Sequence, residues 1–254
     1  VSGGLFGEAR GIYLVTRKKH DQLFNHWVMR PLASVAVALA AKTRATPNQL
    51  TLVSLVVFAV GSVVLVACPS FFGGLVGVLV LELSYLFDCA DGMLARHKKI
   101  ASQVGHLFDF FTDETKATML AVALGIRLWR TGGFGIDGGA WEAHHAGFLF
   151  GGIACVAVLG SATSLTNFIR RPELTGKETP VEAHYEATAA PTGLKKLLSL
   201  PKTFLQFLNH YPSHIYAFAA FGRLDLFLWI YLVNNALYLG SGWLGLFLRF
   251  GRGG

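Results

Sequence analysis

The chain has 254 residues, 53% of them hydrophobic and only 15% charged, with a formal net charge of +7. An average soluble domain carries roughly 25% charged residues, so this composition and the mean hydropathy of +0.48 argue against an ordinary soluble fold. Cys68, Cys89 and Cys155 are far apart and form no CxxC pair, so neither a zinc site nor a disulfide framework is suggested.

Residues 1–47 read as an N-terminal juxtamembrane segment. Its first 30 residues have scattered charge and no uninterrupted apolar core, so a cleavable signal peptide is not expected. Over 20–44, Leu23, Phe24, Trp27, Val28, Pro31, Leu32 and Val35 recur at spacings of three and four, flanked by Arg17, Lys18, Lys19, Arg30, Lys42 and Arg44. This pattern predicts an amphipathic helix in the membrane interface, with its basic residues toward anionic headgroups.

Residues 48–254 read as an all-α integral membrane domain. A span takes about 20 mostly apolar residues. Six stretches qualify: 48–68, 72–92, 104–127, 146–168, 204–221 and 225–247. Asp109, Asp113, Glu114 and Lys116 interrupt the third, and the fifth is short and contains Pro212. Thr46 followed by Pro47 predicts a cap and first turn for the first span. The Gly-rich stretch 128–145 is expected to be irregular, and a short helix is expected near 193–200 in the long loop 169–203. With the N-terminus inside, 18 Lys and Arg fall on one side and three (Arg127, Arg130, Arg223) on the other. Both termini are therefore expected on the cytoplasmic side.

Four aspartates sit where the second and third spans meet that side. Asp88 and Asp91 are three apart and Asp109 and Asp113 four apart, so each pair shares a helix face. An ionised Asp at a helix centre costs roughly 2.5–3.5 kcal/mol on insertion scales. Four converging carboxylates call for neutralisation, and hard divalent ions such as Mg²⁺ suit oxygen ligands. Two close ions can stabilise the attacking and leaving oxygens of a displacement. Gly92, Ala95, Ala101 and Gly105 allow close approach of a helix or ligand. Arg96, one turn past Asp91 and Gly92, is placed to meet a phosphate. Polar positions Asn167, Asn209, His210 and His214 are candidates for an acceptor pocket or, equally, for interhelical hydrogen bonds, and Arg170 and Arg171 either anchor the span, the favoured reading, or bind an acceptor's phosphate.

The run from Asp88 to Asp113 reads D-x2-D-G-x2-A-R-x8-G-x3-D-x3-D. It resembles, position for position, the signature of the class I CDP-alcohol phosphotransferase family. The six-span layout behind an interfacial helix is also similar to that family. The resemblance implies that Asp88, Asp91, Asp109 and Asp113 ligate Mg²⁺ or Mn²⁺, two ions being expected, and that Asp113 is also the general base. It implies that Gly92, Ala95, Arg96 and Ser102 contact the CDP moiety, with Asn48 and Thr51 from the stretch opening the first span. The expected partners are a CDP-alcohol donor, lipid-linked by preference, a small hydroxylated acceptor, membrane lipids and a second copy of the chain; no nucleic acid is expected. The product would be a phospholipid, made in the inner membrane if the source is bacterial. Competing readings are an Asp-rich Mg²⁺-dependent membrane prenyltransferase, which lacks the Asp-Gly-x2-Ala-Arg run, and a cation transporter, whose acids would lie nearer the bilayer centre.

Overall fold

The computed structural model describes residues 4–18, 21–169, 171, 204, 205 and 207–250, with 249 and 250 as backbone only. These residues are overwhelmingly helical. The helices are α1 (Leu5–Thr16), α2 (Arg30–Ala41, entered through a π-turn at Asn25–Met29), α3 (Pro47–Ala67), α4 (Phe71–Lys98), α5 (Gln103–Thr131), α6 (Ala146–Ile169), α7 (Ile215–Ala220) and α8 (Leu224–Phe250). Among the described residues, α3, α4 and α6 are long and apolar enough to cross a membrane. Helix α5 has the length, but Asp109, Asp113, Glu114, Lys116, Arg127 and Arg130 raise its polarity. Helix α8 also has the length, with Asn234 and Asn235 in its middle.

The fifth expected span is not one helix over its described residues. A 3-10 turn at Tyr211–Ser213 precedes the six-residue α7, because Pro212 has no N–H to donate to a continuing α-helix. The Gly-rich stretch is also more ordered than expected. Two short antiparallel strands pair Gly133 with Trp141 and Phe134 with Ala140. Asp225 accepts the Phe134 N–H at 2.7 Å, and the Trp229 indole donates to the Phe134 carbonyl at 2.8 Å.

The chain divides into two compact units, 1–64 with 76–116 and 65–75 with 117–254. In the first unit, α1 and α2 pack together, and Ala9, Ile12, Met29, Ala33, Val37 and Ala38 form a core with Cys89, Ala90, Met93 and Leu94 of α4. Small residues on α2 let it lie close, while Leu23 and Trp27 stay 77% and 72% exposed. Of the expected apolar stripe, Val28 and Leu32 are exposed as well, while Phe24 and Val35 pack against this core. Arg30 departs from expectation: it is buried in an ion pair with Asp21 rather than turned toward headgroups, because a buried guanidinium must be paired. Helix α1 had no counterpart in the sequence reading. Thr46 and Gln49 cap α3 reciprocally, Gln49 Oε1 accepting the Thr46 N–H at 2.9 Å and Thr46 Oγ1 the Gln49 N–H at 3.3 Å, a capping box. Further along α3, Ser54 and Ser84 exchange hydroxyl-to-carbonyl bonds of 2.9 and 2.8 Å.

In the second unit, α6 packs along α8, and Phe148, Cys155, Phe227 and Leu228 are wholly or almost wholly buried. Gly125 and Gly152 let α5 and α6 touch backbone to backbone; a Cβ at Gly125 would lie 3.0 Å from the Gly152 Cα. Buried Arg127 donates to the carbonyls of Leu65, Cys68 and Ser70 at 3.0, 2.8 and 2.7 Å, satisfying the end of α3 and the corner into α4. We expect Arg127→Ala to orphan these carbonyls. With about 3 kcal/mol lost, the melting temperature in detergent should fall by about 6–12 °C in a thermal-shift assay. An unchanged melting temperature would show that water replaces the guanidinium.

Candidate active site

The signature residues lie where α4 ends and α5 begins. Lys99 adopts a left-handed conformation (φ 58°), and the Lys99 and Ile100 amides bond back to the carbonyls of Arg96 and Ala95 at 3.2 and 2.9 Å, closing α4 as helices with a left-handed C-cap close. Ser102 then caps α5, its Oγ accepting the Gly105 N–H at 3.0 Å. Only residues 99–102 separate the two helices, so Asp88 and Asp91 near the end of one meet Asp109 in the second turn of the other.

One carboxylate oxygen from each of Asp88, Asp91 and Asp109 lies within 4.8 Å of the other two. Thr51 on α3 donates to Asp91 at 2.5 Å. Asp109 Oδ1 is buried and has no hydrogen-bond partner among the described residues. A cluster of hard oxygen donors with an orphaned buried carboxylate oxygen fits a divalent cation. Asp113 stands apart from this triad. Its side chain is 52% exposed and is tied to the triad through Lys116, whose buried ammonium pairs with Asp88 and, at 3.2 Å, with Asp113. The ammonium is the cation that the protein itself supplies to this acidic site.

The expected donor contacts fall around the triad. A Cβ on Gly92 would sit 3.4 Å from Arg96 Nη1, and one on Gly105 would sit 3.1 Å from Ser102 Oγ and 3.4 Å from Asn48 Oδ1. Gly92, Ala95 and Arg96 thus share one part of the α4 end, while Asn48, Ser102 and Gly105 gather at the α3 and α5 starts.

The acceptor candidates belong to the second unit or lie outside the described residues. Asn209 accepts from Asn234 at 2.9 Å, and His210 Nδ1 is 2.6 Å from Ser213 Oγ. Buried His214 bonds the Leu208 carbonyl at 3.2 Å and is ringed by Phe207, Phe218 and Phe227. Asn209 thus ties its segment to α8, as interhelical polar groups do, while the two histidines make these bonds within the turn before α7. Asn167 and Arg171 are exposed at the end of α6. Arg170 and the helix expected near 193–200 lie outside the described residues.

Sequence reasoning missed Lys116 as part of the site. Its spacing of three from Asp113 and seven from Asp109, on one helix face, was the available signal. Breaking a buried ion pair leaves an uncompensated charge, at about 3–5 kcal/mol. We expect Lys116→Met to destabilise the metal-free protein, and Mn²⁺ to raise its melting temperature by more than that of the wild type. An equal Mn²⁺ shift in both proteins would contradict this role for Lys116.

No curated protein matches the chain. The profile of the CDP-alcohol phosphatidyltransferase family matches residues 44–171, a range that contains the capping box of α3, all four signature aspartates, Lys116 and Arg96. The chain belongs to the CDP-alcohol phosphatidyltransferase family, transferases that move a phospho-alcohol from a CDP-alcohol to a hydroxyl.

Proposed function

We propose that this chain is a multi-pass membrane enzyme of phospholipid biosynthesis (the EC 2.7.8 type) that joins a phosphatidyl or other phospho-alcohol group to a small hydroxylated acceptor and releases CMP. The observation that carries this reading is the convergence of Asp88, Asp91 and Asp109 within 4.8 Å, with an orphaned oxygen on Asp109, inside the family match. In this reading those three residues hold a divalent ion, Mg²⁺ or Mn²⁺, with Asp113 completing the ligand set. Bound ions would supply positive charge to the oxygens around the transferred phosphorus.

The remaining work falls to the chain's own groups. Gly92, Ala95 and Arg96 receive the donor's diphosphate and nucleotide, with Asn48, Thr51 and Ser102 on the opposite flank. Thr51 orients Asp91 by its hydrogen bond. Asp113 takes the acceptor proton, because its exposed carboxylate is within reach of an incoming hydroxyl and a hydroxyl is a weak nucleophile without a base. A bond forms from the acceptor oxygen to phosphorus, and the bond from phosphorus to the CMP oxygen breaks. In this reading Asn167, Arg170 and Arg171 are the acceptor-side candidates.

In this reading the chain crosses six times, and the 18-to-3 distribution of Lys and Arg supports placing both termini and the site on the cytoplasmic side. In this reading the exposed apolar stripe of Leu23, Trp27 and Leu32 lies in the interface, and the lipid donor reaches the site from the bilayer. A homodimer is the expected assembly, and the inner membrane the expected site in a bacterium. Asp91→Asn and Asp113→Asn should each lower CMP release about 10²–10⁴-fold while still eluting as folded, monodisperse protein. Wild-type rates in either variant would overturn the mechanism.

A further inference from the structure

Lys116 fills the gap between Asp113 and the carboxylate triad. It lies one turn beyond Asp113 on α5, and its ammonium pairs with Asp88 and, at 3.2 Å, with Asp113 Oδ1. The Lys116 side chain is only 3% exposed. An exposed lysine exchanges its acids for water at little cost, whereas a buried one that left them would carry an unpaired charge inside the protein. The ammonium is also covalently held, so its charge belongs to the centre with or without bound metal.

Paired metal ions in a two-metal centre stand about 3.5–4 Å apart, so a second divalent ion drawing on Asp113 would have to join it to an acid of the triad. Asp88 is the triad acid that shares a partner with Asp113, and that partner is the ammonium. A divalent ion placed there would meet a buried like charge at contact distance. The triad itself is different. Its three oxygens lie within 4.8 Å of one another, Thr51 holds Asp91, and the buried Asp109 Oδ1 has no partner among the described residues. These groups suit one ion. A carboxylate has two oxygens, so the ammonium leaves one on Asp88 for that ion, and one on Asp113 for the ion or for the acceptor proton.

We infer that the centre holds one divalent ion per chain, at Asp88, Asp91 and Asp109, and that the Lys116 ammonium takes the place of the second ion that the family resemblance implies. The inference rests on the proposed metal-dependent transfer and narrows it. Lys116 then has two duties: it neutralises Asp88 and Asp113, and by its charge it keeps a second metal out.

The test titrates the purified full-length chain with Mn²⁺ alone. Calorimetry counts the ions per chain, and electron paramagnetic resonance reports whether two bound ions are close enough to couple. Wild type should bind one Mn²⁺ with no spin coupling. K116M and K116Q should each bind a second, weaker Mn²⁺ that couples to the first, while K116R, which keeps the charge, should stay at one. Two coupled ions in wild type would overturn the inference and leave the transfer reading standing. A count of one in K116M and K116Q would show that Lys116 excludes nothing, and would overturn it as well. If neither of these variants folds, the wild-type and K116R counts still decide, because two ions in either contradicts the account. A wild-type chain that binds no Mn²⁺ overturns the metal reading and this inference together. Failure of the transfer reading shows separately, as an absence of CMP from any donor.

Discussion

Mutual repulsion among carboxylates is the constraint on which the rest of this molecule turns. Asp88, Asp91 and Asp109 bring oxygens within 4.8 Å, and two like charges about 4 Å apart repel by about 4 kcal/mol at an effective dielectric of 20. Positive charge close by relieves that repulsion. Lys116 supplies one such charge between Asp88 and Asp113, the Thr51 hydroxyl satisfies Asp91, and the open oxygen of Asp109 marks where more is needed. The helix ends are built around this need. The left-handed Lys99 and the Ser102 cap keep the turn between α4 and α5 short, so that acids 21 positions apart in sequence, Asp88 and Asp109, share one site.

The same economy extends to the first helices. Segment 1–47 contributes an exposed apolar stripe on one side and, on the other, a packed face that reaches Cys89, Ala90, Met93 and Leu94 of α4. Tyr85 on α4 donates to Asn25 at 2.7 Å, and Arg96 is held by Thr16. The N-terminal helices thus brace the end of α4 that carries the signature through a few packed side chains.

The legible parts of the sequence were those whose signal is local. Eight signature residues at fixed spacing named the family and the acids of the site, and Thr46-Pro47 marked the start of α3. Length and hydropathy alone predicted helices close to α3, α4, α5, α6 and α8. What stayed hidden depends on contacts between distant positions. Lys116 reads as an interruption of a span until Asp88 is folded beside it. Arg30 reads as a headgroup anchor until Asp21 is found buried against it, and Arg127 as a loop charge until the carbonyls of Leu65, Cys68 and Ser70 converge on it. The break at Pro212 was visible as a proline, but its result, a 3-10 turn before a short helix, depends on how the neighbouring side chains pack. The Gly-rich hairpin was hidden for a like reason, since Asp225 and Trp229, some 90 residues on, hold it.

The central claim concerns which bond is broken, and the leaving group reports that most directly. The purified wild-type protein with Mg²⁺ or Mn²⁺, given a panel of CDP-alcohols and hydroxylated acceptors, should yield CMP and a phosphodiester product by mass spectrometry, in equal amounts. Release of pyrophosphate from a prenyl diphosphate, or cation flux into vesicles with no CMP formed from any donor, would contradict it.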